Sequence, residues 1–203
     1  MSSIGSLPLI ELEGRKSVVN EFEPDGLYEV VNGVVVEKPA RGAFESSFAS
    51  DLIGWLQRWT GIQQHGRILS ETLFLIDAAN KLKRRPDLAF VSHERWAKGR
   101  PLPRTAAWDV IPDLAIEVIS DTNLACDVLI HVNEYFRAGV RSVWVFYPAQ
   151  ELELLYVYES PTSVRILTRS DLLESASILP GFQLPLESLF ERPSASVLPQ
   201  NPV

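Results

Sequence analysis

The chain has 203 residues, 46% of them hydrophobic and 22% charged, which fits one folded domain with a sizeable core. The formal net charge of -7 argues against a protein that coats nucleic acid by neutralising phosphates, while an acidic metal centre is compatible with that sign. A single cysteine, Cys126, excludes an internal disulfide and a cysteine-built zinc site and suits a reducing, cytoplasmic setting. No apolar run approaches the ~18 residues that span a bilayer, and the first residues lack a basic, apolar leader, so neither a membrane partner nor a secretory signal is expected.

Residues 1–20 show no period and are expected to form a loose arm. Residues 21–190 are expected to form one domain, and 191–203, rich in Pro and Ser, a disordered tail. Residues 27–31 and 34–38 flank Asn32-Gly33, a hairpin signal between β-branched runs. From 43 to 59, Phe44, Phe48, Leu52, Trp55, Leu56 and Trp59 recur at helical spacing, and Gly61 is expected to stop that helix. Residues 67–76 read as strands broken near Ser70-Glu71, 81–85 as a basic turn, 86–91 as a strand, and 92–111 as a surface excursion with one helical turn. Residues 114–119 are a central strand, 127–138 a helix ended by Gly139, and 141–147 a strand. Residues 151–159 and 164–168 pair as a hairpin; 179–182 is expected as a turn before a short helix at 186–190. The order predicts an α/β fold, a mixed sheet flanked by helices with an N-terminal hairpin.

Glu117 stands inside the apolar run Leu114-Ala115-Ile116-Glu117-Val118-Ile119. A carboxylate in such a strand must be paired, protonated or bound to a metal, because burying a bare charge is expensive. Asp87 opens a second apolar strand, Asp87-Leu88-Ala89-Phe90-Val91. Neighbouring strands run about 4.8 Å apart, so the two carboxylates can reach one ion. Asp113 is four residues from Glu117 on the same extended segment, about 13 Å away, and reads as a turn residue at the start of the strand. A carboxylate pair of this kind can also be a structural ion pair with Arg or Lys.

The segments Tyr28-Glu29-Val30-Val31-Asn32-Gly33, Arg85-Pro86-Asp87-Leu88-Ala89-Phe90, Pro112-Asp113-Leu114-Ala115-Ile116-Glu117-Val118-Ile119-Ser120, Ala138-Gly139-Val140-Arg141-Ser142-Val143-Trp144-Val145 and Leu179-Pro180-Gly181-Phe182 resemble, in order and spacing, the Uma-two family of restriction-endonuclease-like proteins in the PD-(D/E)XK superfamily. The resemblance implies a restriction-endonuclease-like core and a magnesium- or manganese-dependent endonuclease, with nucleic acid, DNA first, as partner and a homodimer as assembly. It implies metal ligation by Asp87, Glu117 and the carbonyl of Val118. It also suggests a further acid, Glu45, near the start of the first long helix. Glu71, at the strand break, can also face the site, and its plainer reading is a solvated turn acid.

In the family pattern a lysine sits on the following helix as Lys-x-x-x-Tyr. Here that helix keeps Tyr135 and has His131 at the lysine position. A histidine is shorter and can act as a general base; the plainer reading is a rim residue bonded to Asp127 one turn back. The leading expectation is therefore an endonuclease weakened by His131 in place of the lysine, and the alternative is an inactive nuclease-fold module that binds nucleic acid or a partner protein. Lys83, Arg84 and Arg85, with Lys81, can grip phosphates beside the cleavage point or form a solvated loop. Trp96, Trp108 and Arg104 can stack on bases or form a small satellite core. His65, His93 and His131 have no paired spacing, so no zinc site is expected, and Ser120 lacks a nucleophile elbow.

Overall fold

The computed structural model describes residues 26–120, 123–149 and 151–191. The arm expected over 1–20 lies outside these residues, as does the expected tail apart from Glu191. Twelve strands are described: β1 Tyr28–Val31, β2 Val34–Glu37, β3 Gly66–Ser70, β4 Phe74–Asp77, β5 Leu82–Arg84, β6 Leu88–Ser92, β7 Leu114–Val118, β8 Ser142–Tyr147, β9 Leu154–Ser160, β10 Ser163–Thr168, β11 Leu172–Ser175 and β12 Leu179–Pro185. The helices are α1 Ala43–Gln63, α2 Ala125–Ala138 and α3 Leu186–Phe190. The central sheet has the order β10-β9-β8-β7-β6-β3, parallel only between β7 and β8. A second sheet has the order β2-β1-β5-β4, and β11 pairs with β12. The fold is α/β, a mixed sheet covered on both faces with an N-terminal antiparallel hairpin.

Asn32 and Gly33 both take positive φ (53° and 79°), the geometry that a two-residue hairpin turn demands. Strand β7 is buried throughout, because both faces of the central sheet are covered. On one face α1, α3 and β12 pack against Leu88, Phe90, Leu114, Ile116, Trp144 and Phe146. On the other, α2 lays Val128, Val132 and Tyr135 against Ala89, Ala115, Val143 and Val145, joined by Phe74, Ile76 and Leu82 of the second sheet. Those α2 residues stand at i, i+4 and i+7, the stripe of an amphipathic helix. Gly139 then ends α2 with φ 99°, its N–H donating to the Phe136 carbonyl and that of Val140 to Tyr135.

Four local expectations change. Helix α1 runs through Gly61 to Gln63 and ends on Gln64 in the left-handed conformation. A glycine inside a helix costs only about 1 kcal/mol, and Trp59, buried against Phe90 and Phe182, holds the last turns in place. The basic turn at 81–85 is instead strand β5, bonded on both sides by β1 and β4. Residues 179–182 belong to β12, with Gly181 at φ 78° within the strand. The excursion at 92–111 contains no helix; its Trp108 bridges to Phe74 and is 4% exposed, so it is part of the core.

Gly66 lies on the edge strand β3, where an added Cβ would drive into the Phe90 ring and the Val91 carbonyl. Because one of those obstacles is backbone, Gly66→Ala is expected to cost roughly 1–3 kcal/mol of overpacking. Urea denaturation measures it; an unchanged midpoint would show that the edge yields freely.

Candidate active site

Antiparallel pairing of β6 with β7 sets Leu88 opposite Ile116, so the next pair outward is Asp87 and Glu117. Side chains alternate along strands. Asp87 thus shares a face with Ala89, and Glu117 with Ala115, and both acids point to the α2 side of the sheet. They open into a cavity of about 770 Å³ whose lining includes Lys38, Arg41, Asp87, Glu117, Asp127 and His131.

Each carboxylate is oriented on one oxygen and meets a cation with the other. Asp87 Oδ2 accepts a hydrogen bond from the Val118 N–H (2.7 Å), and Glu117 Oε1 accepts one from the Tyr135 hydroxyl (2.7 Å). Asp87 Oδ1 lies 2.8 Å from Lys38 Nζ, and Glu117 Oε2 lies 3.9 Å from the same nitrogen. Lys38 follows β2. Its N–H donates to the Leu27 carbonyl, and its ammonium also donates to the Arg85 carbonyl at 2.6 Å. Arg41 bridges Glu71 (2.9 Å) and stands 3.8 Å from Asp87. Its Nε and Nη1 are buried without a hydrogen-bond partner among the described residues.

His131 lies one turn before Tyr135 on α2, with Nδ1 at 3.7 Å from Glu117 Oε1 and Nε2 at 3.7 Å from Glu29 Oε2. The sequence position expected to carry a lysine therefore faces two carboxylates. Glu29, buried on β1, also binds Arg84, whose other side meets Glu134 at 2.6 Å.

The two acids titrate in opposite directions. Burial and the Glu117 charge push Asp87 up, and Lys38 and Arg41 only partly offset them. Burial also raises Glu117, but Lys38, His131 and Tyr135 outweigh it and hold Glu117 down to about 2. Lys38 itself is raised: burial opposes its charge, and the surrounding Glu117, Asp87 and Glu29 win. Burial and the neighbouring Glu117 push the Tyr135 hydroxyl well above its ordinary value, so it remains a donor.

The structure brings Asp87, Glu117, Val118 and His131 into one cavity. Glu45 is half-buried in the first turn of α1, folded against Gly42, and does not line that cavity. The basic run is largely spent inside the fold. Arg84 is 4% exposed between its two acids, and the Arg85 guanidinium donates to the carbonyls of Tyr28 and Glu71 and covers the Tyr28 ring. Lys83, half-buried on β5, and the exposed Lys81 before it are the members of the run left for a phosphate-gripping role. Lys38, Arg41 and Glu29 were not singled out from sequence. They lie 46–58 residues before Asp87, and no local pattern links them to the acids.

Asp87 and Glu117 are thus a carboxylate pair on adjacent strands of a mixed α/β sheet, oriented from behind and facing one cation. Residues 13–187 match Uma2, a family described as "Putative restriction endonuclease", and the chain belongs to that family. A crystal structure titled as a "putative nuclease belonging to DUF820" from Anabaena variabilis is similar in fold. Its TM-score is 0.71 at 17% sequence identity, covering 83% of this chain and 92% of that one. No curated protein matches the chain. Among the described residues no helix is long and apolar enough to cross a membrane.

Among the described residues no three His, Cys, Asp or Glu side chains cluster as a metal site. The donor set fits a single hard cation nonetheless. Two carboxylate oxygens, Asp87 Oδ1 and Glu117 Oε2, converge on one point that already attracts an ammonium, and oxygen ligands of this kind suit magnesium or manganese.

Proposed function

We propose that this chain is a metal-dependent endonuclease that hydrolyses phosphodiester bonds of nucleic acid, DNA in the first place. In this reading it works in the cytoplasm as a homodimer, with magnesium or manganese on Asp87, Glu117 and the Val118 carbonyl. The observation that carries the reading is the convergence of Asp87 and Glu117 on one cation position in an open cavity. A bound ion there would supply Lewis-acid polarisation of the phosphate and a hydroxide at neutral pH. Tyr135 and the Val118 N–H fix the two carboxylates so that their free oxygens stay aimed at that position. Arg41, beside Asp87 with two N–H groups unpartnered, has the chemistry to hold a phosphate oxygen. His131, beside Glu117, is placed to accept a proton.

A second reading, an inactive nuclease-fold module that binds nucleic acid or a partner protein, draws on the same site. Lys38 already pairs with both acids, and His131 replaces the expected lysine. Nicking of supercoiled plasmid with magnesium or manganese separates them. Cleavage that requires the ion and disappears in Asp87→Ala is expected; retained DNA binding without cleavage under either ion selects the module.

A further inference from the structure

We propose that the Lys38 ammonium is a built-in competitor for the divalent-cation position, so that an ion is admitted only as Lys38 leaves the two carboxylates. This rests on the metal-site reading above. Its own ground is the geometry of Nζ, which sits 2.8 Å from Asp87 Oδ1, 3.9 Å from Glu117 Oε2 and 2.6 Å from the Arg85 carbonyl. Those two carboxylate oxygens are the ones left over when Val118 and Tyr135 have taken the others. An ion bound by the pair would need the same oxygens, and two cations cannot share them at contact distance without strong repulsion.

The competitor is tethered. Lys38 is anchored through its backbone bond to Leu27 and stands at the end of the hairpin, so its ammonium returns to the carboxylates at a high effective concentration. Its side chain remains 18% exposed on the cavity wall, which leaves it a route out. Arg41, whose Nη1 is 3.8 Å from Asp87 Oδ1, does not fill the same point, because its Nη2 is held by Glu71. Lysine rather than arginine suits such a role: a compact charge on a flexible stem is more easily withdrawn than a planar fork. The consequence is a site that stays charge-balanced and folded without metal but binds metal weakly.

Two measurements test this. By calorimetry with manganese, Lys38→Met and Lys38→Gln should bind at least tenfold more tightly than wild type, and Asp87→Ala should not bind; circular dichroism checks the fold of each variant. In the unmodified protein, acetylation of Lys38 by an amine-reactive ester, read by mass spectrometry, should be slow without metal and rise severalfold with manganese. Lys81 and Lys98, both exposed, should label equally in both conditions. If manganese binds wild type in an Asp87-dependent way, yet Lys38 labelling is unchanged and the Lys38 variants bind no more tightly, the competition is wrong and the metal site survives. If neither wild type nor the Lys38 variants bind manganese, both the competition and the metal site fall.

Discussion

Arg84→Met should lower the unfolding free energy by roughly 3–5 kcal/mol, the usual cost of stripping one partner from a buried ion pair. Arg84 is 4% exposed, and its guanidinium is shared between Glu29 and Glu134. Removing it leaves two carboxylates facing one another beneath α2 and β1 with little water to replace the lost charge. Glu29 would retain the Arg85 N–H at 2.9 Å, which satisfies one oxygen but supplies no net charge. In a domain of this size that loss corresponds to a fall in Tm of about 10 °C. The variant that also carries Glu29→Gln and Glu134→Gln should recover much of it, because the cost comes from the unpaired charges and not from the lost methylenes. A loss under 1 kcal/mol in urea denaturation would mean that water reaches the cluster. The same substitution probes the site indirectly, since Glu29 also faces His131.

The parts of this fold that were legible in the sequence are those where a local pattern and a tertiary need agree. The Asn32-Gly33 hairpin, the stripe of α2 and its Gly139 stop, and the fully apolar β7 follow from turn chemistry and burial period. The misread pieces are places where packing overrode a local signal. Gly61 stays helical because Trp59 is buried nearby, and the basic run enters a sheet because β1 and β4 pair with it. Asp87 and Glu117 were found because a lone acid in an apolar strand is costly. The same argument applied to Glu29 in Tyr28-Glu29-Val30-Val31 would have placed it in the interior. A hairpin read as having one wet face hides that cost. Lys38 carried no such signal. A lysine after a surface hairpin is ordinary, and only the folded chain brings it across 49 residues to Asp87.

At neutral pH, neutralising the two site acids should affect stability in opposite directions, and the proposed endonuclease function requires that both changes remove cleavage. Glu117 is held at about 2 against an ordinary 4.5, so its folded-state advantage is fully present above 4.5 and is lost as pH falls toward 2. Glu117→Gln should therefore be less stable than wild type at pH 7, by roughly 2–3 kcal/mol, and should lose part of the acid-induced fall in stability between those values. Asp87 is raised above its ordinary 3.8, so its ionised form opposes folding at every pH above that value. Asp87→Asn should consequently be as stable as wild type at pH 7, or more so, with Asn still able to accept the Val118 N–H. Plasmid cleavage should fall by roughly 10²–10³-fold or more in each variant, since each supplies one of the two oxygens that face the cation position. The urea midpoints at pH 7 and pH 3 decide the matter. Should Asp87→Asn prove the more destabilising at pH 7, the charge of Asp87 would be the one that Lys38 chiefly compensates, and the roles of the two acids in holding the site together would be exchanged. The expected pattern is the one in which Asp87 is kept at a cost to stability, as a residue retained for binding and chemistry and not for the fold.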